Sequence, residues 1–170
     1  MKTALLTLLP VLFVLVAFSG CTHKGYDEVE DVGEWRSLAA GEREGVYYRL
    51  GDSIYGGYFV GKPEDNRSPM VLRCVGTGSF VVCVGSEYAR DDNNVYYPIE
   101  ALYVDGVYED GTGWGEKRIT RYVVEDADPK TFKYLGEDYA IDRRRMYLRG
   151  ERIPWDDKVI EQAKMKRRHQ

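Results

Sequence analysis

Histidine is almost absent from this chain. There are two among 170 residues. His23 lies in an acidic N-terminal stretch and His169 is the penultimate residue. A Ser-His or Cys-His pair needs rigid support around it, and neither position offers that. No H-E-x-x-H, P-loop or C-x-x-C spacing occurs, so zinc catalysis and phosphate cradling lack their usual carriers. No metal and no cofactor are expected. Basic residues are also in deficit: Lys and Arg number 24 against 28 Asp and Glu, a net charge of −4. That sign disfavours nucleic acid as a partner, because phosphate affinity comes from clustered cations. Cysteine is scarce too, with three in all.

The first residues supply what the rest lacks, a long apolar run. Lys2 precedes the uncharged stretch Ala4 to Ala17, and Phe18-Ser19-Gly20-Cys21 follows. The run is about 15 residues, short of the roughly 20 that cross a bilayer, and has the layout of a secretory signal. Ser19-Gly20-Cys21 resembles a lipobox, with Phe18 where Leu is usual. The resemblance implies cleavage before Cys21 and acyl chains (palmitate among them) on that cysteine. Two or more chains anchor a protein stably, so the membrane is an expected partner through Cys21. Thr22, rather than Asp, after the cysteine implies the outer membrane, facing the periplasm or the cell surface. Cleavage removes Lys2 and takes the net charge from −4 to −5.

Residues 1–20 are thus read as a lipoprotein signal, 21–42 as an acidic solvated tether, and 43–170 as a single β-rich domain with a short C-terminal helix. Asp27, Glu28, Glu30 and Asp31 carry the tether's charge, and no sustained apolar period accompanies them. Cys74 and Cys83 remain as a pair in an oxidising compartment. Gly76 and Gly78 between them allow a tight reversal, which predicts a disulfide worth about 2–3 kcal/mol. Two buried free thiols are the alternative.

From Gly45 onward, short runs of Val, Tyr and Ile alternate with Gly, Asp and Asn clusters, which predicts strands and turns. Gly51-Asp52, Gly56-Gly57 and Asp105-Gly106 are the expected tight turns. Pro98 belongs at a strand end or edge, since it has no amide to donate. Asp128 to Gly136 has a capping Asp, an early Pro and a terminal Gly, and predicts a short helix. Asp156 to Met165 predicts another, with acids first and bases last.

A repeat emerges within this domain. Tyr88-Ala89-Arg90-Asp91, followed by Asp92-Asn93-Asn94-Val95-Tyr96-Tyr97, returns 51 residues later as Tyr139-Ala140-Ile141-Asp142, then Arg143-Arg144-Arg145-Met146-Tyr147-Leu148. The unit reads as a strand, an Asp-led polar turn and a return strand bearing Tyr. Asp91 and Asp142 are expected to form turns by side-chain to backbone hydrogen bonds. Tyr88, Tyr96, Tyr139 and Tyr147 are expected to fill the inward face. One unit cannot bury its apolar face alone, so neighbours must stack. Gly106 to Arg118 reads as a long inserted turn, with Tyr108 and Trp114 as candidate contact residues. The fold class is α+β, mainly β: tyrosine-rich hairpin repeats linked by short helical turns.

Asp91-Asp92-Asn93-Asn94-Val95-Tyr96-Tyr97 resembles the signature of the DKNYY family of bacterial proteins. Ala127 to Gly136 resembles the segment that links successive signatures there. The resemblance covers roughly residues 77–160. Asp92 replaces the signature Lys, and the second copy keeps Asp142 and Tyr147. It implies an envelope-associated repeat protein and carries over no catalytic residue.

Two functions remain in view. One is a non-enzymatic binding or protective lipoprotein, of immunity type, that meets an envelope or secreted protein. The other is a carboxylate enzyme acting on envelope glycan, which would need two facing acids in an open cleft.

Overall fold

A computed structural model describes residues 22–57, 70–72, 76–107 and 109–167. Among the described residues the fold is mixed α+β, with antiparallel sheets and one α-helix. Strand β1 is Trp35–Ser37. Strands β2 (Arg43–Glu44), β3 (Tyr47–Leu50), β4 (Ser53–Gly56) and β5 (Met70–Val71) form one antiparallel meander. A second contains β6 (Val81–Cys83), β7 (Ala89–Arg90), β8 (Val95–Val107) and β9 (Gly113–Val123), with β1 added beside β6. The third is β10 (Lys133–Gly136), β11 (Tyr139–Ile141), β12 (Met146–Leu148) and β13 (Glu151–Ile153). Helix α1, Asp157–Arg167, follows.

Side-chain alternation along the strands explains how the meanders pack. Three clusters of buried residues separate them. Val46, Tyr47 and Ile54 of the first meander meet Phe80, Val82, Ala89 and Tyr96 of the second. Cys83, Tyr88, Val95 and Tyr97, on the opposite face of the second, meet Phe132, Ala140 and Tyr147 of the third. Leu135, Ile141 and Met146 then face Ile160 of α1 together with Tyr26 and Val29. The middle and last sheets are therefore covered on both faces. Among the described residues, all three clusters are built from positions between Tyr26 and Ile160.

The stretch read as a solvated tether behaves differently from that expectation. Tyr26 and Val29 are buried against the third sheet, Trp35 packs in the middle cluster, and Leu38 is buried in the first. The segment crosses every layer as a strap. Its acid Asp31 is structural: Oδ1 accepts from the amides of Gly33 and Tyr134, both at 3.0 Å, and Oδ2 from the Trp35 indole at 2.8 Å. Lys133 holds the same strap, donating to the carbonyls of Tyr26 (2.9 Å) and Val29 (2.8 Å). Burial lowers the Lys133 pKa from its ordinary value.

The disulfide expected between Cys74 and Cys83 is not formed. Cys83 is a free, buried thiol, and Cys74 lies outside the described residues. The reason is topological. The predicted hairpin needed an open edge on β6, yet β1 and β7 occupy both of its edges. The strand before the turn, β5, pairs instead with β4 in a different sheet. Burial, with Asp31 adding to it, pushes the Cys83 thiol up to about 12.

Other turns also moved. Asp128 to Gly136 is not a helix. Thr131 closes one turn on the Asp128 carbonyl (3.1 Å), and β10 begins at Lys133. Phe132, Tyr134 and Leu135 serve opposite sheet faces, which a strand satisfies and a helix does not. Asp105 and Gly106 lie inside β8, paired with Gly115 and Trp114, so the inserted turn is largely a two-stranded arm. Gly51-Asp52 does connect β3 to β4, while the chain after Gly57 lies outside the described residues. Pro98 sits where the β8–β9 register shifts between Tyr96 and Glu100, a position that asks no amide of it.

Candidate functional site

The two Asp-led turns are built alike. Asp91 Oδ1 accepts from the amides of Asn93 (2.8 Å) and Asn94 (2.7 Å), and its Oδ2 accepts from the Tyr96 hydroxyl at 2.9 Å. Asp142 Oδ1 accepts from Arg144 and Arg145, both at 2.7 Å, and its Oδ2 from the Tyr147 hydroxyl at 2.8 Å. A further amide reaches each Oδ2, from Gly76 at 3.3 Å and Asp128 at 3.2 Å. Both carboxylates are buried. Charge-assisted bonds to backbone amides replace the water they lost. Both oxygens of each acid are thus engaged in holding turns, which leaves them poorly suited to acid–base work on a glycan.

Burial raises the Tyr147 hydroxyl above its ordinary range, and the Asp142 bond adds to that. Tyr88 joins the sheets: its hydroxyl donates to the Asp138 carbonyl (3.2 Å) and accepts from the Gly150 amide (2.9 Å). Tyr97 packs on Tyr88, with ring centroids 4.7 Å apart. Tyr139 is half-buried beside the last cluster. Asn93, by contrast, is exposed and contributes its amide alone to the turn. Trp114 lies in β9 rather than in a turn, and Tyr108 and Cys21 lie outside the described residues.

No family model, no curated protein and no solved structure matches the chain. Functional chemistry has to be sought in the geometry itself.

One surface feature was missed in the sequence. The second turn carries Arg143, Arg144 and Arg145 where the first has Asp92, Asn93 and Asn94. A groove of about 370 Å³ lies beside it, lined by His23, Arg144, Arg145, Arg152 and Trp155 over buried Met146. The His23 and Trp155 rings stack at 4.0 Å with an interplanar angle of 8°. The His23 amide donates to the Arg143 carbonyl at 2.7 Å, fixing the start of the strap on this turn. Arg145 is held by Asp126, through the carbonyl at 2.6 Å and the carboxylate at 3.4 Å. Among the described residues no acid lines the groove, and Arg144 and Arg152 have no carboxylate within ion-pair distance. The available signal was the triple arginine at a turn; its partners, His23 and Trp155, are distant in sequence and invisible to spacing.

Among the described residues there is no group of three or more metal-ligating side chains, and no helix long and apolar enough to cross a membrane.

Proposed function

We propose that this chain is an envelope lipoprotein of DKNYY type, cut before Cys21 and held by lipid at the outer membrane. It acts by binding rather than by catalysis. On this reading β6–β9 and β10–β13 are two tyrosine-rich repeat units joined by the turn at Asp128. An immunity-type role fits it, with an envelope or secreted protein as the partner.

The observation that carries the reading is the fixed position of His23. Two residues after the lipid-bearing position, the chain is already bonded to the Arg143 turn and stacked on Trp155. An extended link of two residues spans at most about 7 Å, so the domain would be held close against its membrane. A solvated tether of twenty residues would have let it roam. The occupied carboxylates of Asp91 and Asp142 favour binding over the glycan-hydrolysis alternative.

The test is labelled fatty-acid incorporation in an expressing Gram-negative cell. The native chain takes up label and sediments with outer membrane, and Cys21→Ser loses both. Equal fractionation of the two chains, with no label in either, overturns the anchored reading.

A further inference from the structure

We infer that the arginine-turn groove is a binding site for a phosphate ester, with the headgroup of an anionic lipid in the anchoring membrane as its source. The inference concerns a site and a ligand class, and it rests on the anchored reading only for that source.

Three arginines, Arg144, Arg145 and Arg152, line the groove, with no acid in its lining. This is unusual for a chain of net charge −4, whose overall field repels anions. Arg145 is already engaged by Asp126, which orients it. Arg144 and Arg152 keep their donors uncommitted among the described residues. A planar guanidinium fork matches two phosphate oxygens, and two forks lining one groove, from a turn and from a strand, can clamp one headgroup. Arg152 sits in β13, whose partner in register is Tyr147, five residues after Asp142. The turn and the strand are thus braced by the buried Tyr147–Asp142 bond at 2.8 Å, so the basic face is preorganised.

The aromatic pair supports the same assignment. Trp155 is half-buried, and its stacked partner His23 is exposed. Tryptophan rings favour the headgroup level of a bilayer, where one edge is apolar and the other wet. The headgroup layer is about 5–8 Å thick on each side, comparable with the reach of the two-residue link to Cys21. A lipid on that cysteine therefore brings the groove to headgroup depth without any further ordering. The first repeat makes a natural control. Its turn has the same carboxylate scaffold at Asp91, yet carries Asp92, Asn93 and Asn94, and offers no such cationic lining.

The experiment uses residues 22–170, which contain every described residue of the three buried clusters and no lipidation site. Two probes are compared: sedimentation with vesicles of phosphatidylcholine alone or with about 30% phosphatidylglycerol, and titration with soluble glycerol phosphate followed by tryptophan emission. Saturable binding to the anionic vesicles, with weak competition by glycerol phosphate, assigns the headgroup as source. Glycerol phosphate binding with no gain on vesicles keeps the phosphate-ester site and assigns a soluble source. In either case the R144A/R152A variant should bind about tenfold less or weaker, since each arginine near an anionic surface contributes separately. Both side chains are exposed, so its melting temperature should match the native domain's. Absence of saturable binding to either probe, or unchanged binding by a folded R144A/R152A variant, overturns the proposal. Because this domain carries no Cys21, that failure is separate from any failure of fatty-acid labelling.

Discussion

At the scale of single residues, Asp91 and Asp142 hold the two repeat turns. Each gathers amides and one tyrosine hydroxyl in a buried position, so removing the carboxylate strands several donors at once. Asp142→Ala is expected to cost about 3 kcal/mol or more, read as a lowered denaturant midpoint. Tyr147→Phe deletes one hydroxyl and keeps the ring, and should cost about 1–2 kcal/mol by the same measurement. A midpoint unchanged in both variants would remove these turns from the stability of the fold. Their roles were legible because the Asp and the Tyr recur at equal offsets. Cys83 was not legible in that way. Its spacing from Cys74 suggested a hairpin, and nothing in the two residues' neighbourhood announced that β1, far upstream, takes the outer edge of β6. The buried thiol, with its pKa pushed up to about 12, should resist a thiol-specific chromogenic reagent in the native state and react only on unfolding. Rapid native-state reaction at Cys83, located by peptide mapping, would contradict its placement.

At the scale of elements, the strap and the last hairpin decide how the layers hold together. The strap's acidic run hid it in the sequence. Tyr26, Val29, Trp35 and Leu38 have no common period because they serve three different clusters. Lys133 is its clamp, and its ammonium also lies 3.9 Å from the Tyr26 ring centroid. Lys133→Met keeps the aliphatic length and deletes both bonds to the strap carbonyls, so the amides of residues 26–32 should exchange hydrogen faster while those of β11 and β12 stay protected. Equal exchange in both chains would show that the strap is held elsewhere. The hairpin β12–β13 turns through Arg149 and Gly150, both at positive φ (52° and 74°). That backbone matches the twist of its strands. A Cβ on Gly150 would come within 2.7 Å of Tyr97 Cβ and 2.8 Å of Ile99 Cγ1. Gly150→Ala should therefore destabilise by about 2–3 kcal/mol, visible as a lower melting temperature, more than the loss of turn freedom alone. The helix expected at Asp128 to Gly136 failed for a related reason. Its capping signals are real and form one turn, but the residues after Thr131 alternate between two cores, and tertiary burial overrode the local preference.

At the scale of the whole molecule, the chain is a row of sheets with aromatic layers between them, capped by one helix and crossed by its own N-terminal segment. Many of its 14 tyrosines are structural. Tyr47, Tyr88, Tyr97 and Tyr147 are all raised above their ordinary range, with burial as the first cause, and Cys83 likewise. The sign follows directly. A group whose folded value is raised stabilises the fold fully below its unfolded pKa and loses that contribution as pH rises toward the folded value. For Cys83 the window runs from its ordinary 9.0 to about 12. Stability should therefore fall above about pH 9, and the tyrosinate absorbance of Tyr47, Tyr88, Tyr97 and Tyr147 should appear as one cooperative step with unfolding. Titration of all the tyrosines, these four included, near pH 10 in a folded chain would contradict their burial.

On the proposed anchoring, the end of the row that carries the arginine turn would lie on the membrane, and the far end would not. Position 144 is in the β11–β12 turn of the third meander and position 52 in the β3–β4 turn of the first, two sheet spacings or about 20 Å away. Nitroxides placed by Arg144→Cys or Asp52→Cys in a Cys74→Ser background, in the lipidated chain on vesicles with nickel-chelating headgroups, report that difference directly. Strong relaxation enhancement is expected at position 144 and little at position 52. Equal enhancement at the two positions, or more at position 52, would contradict it.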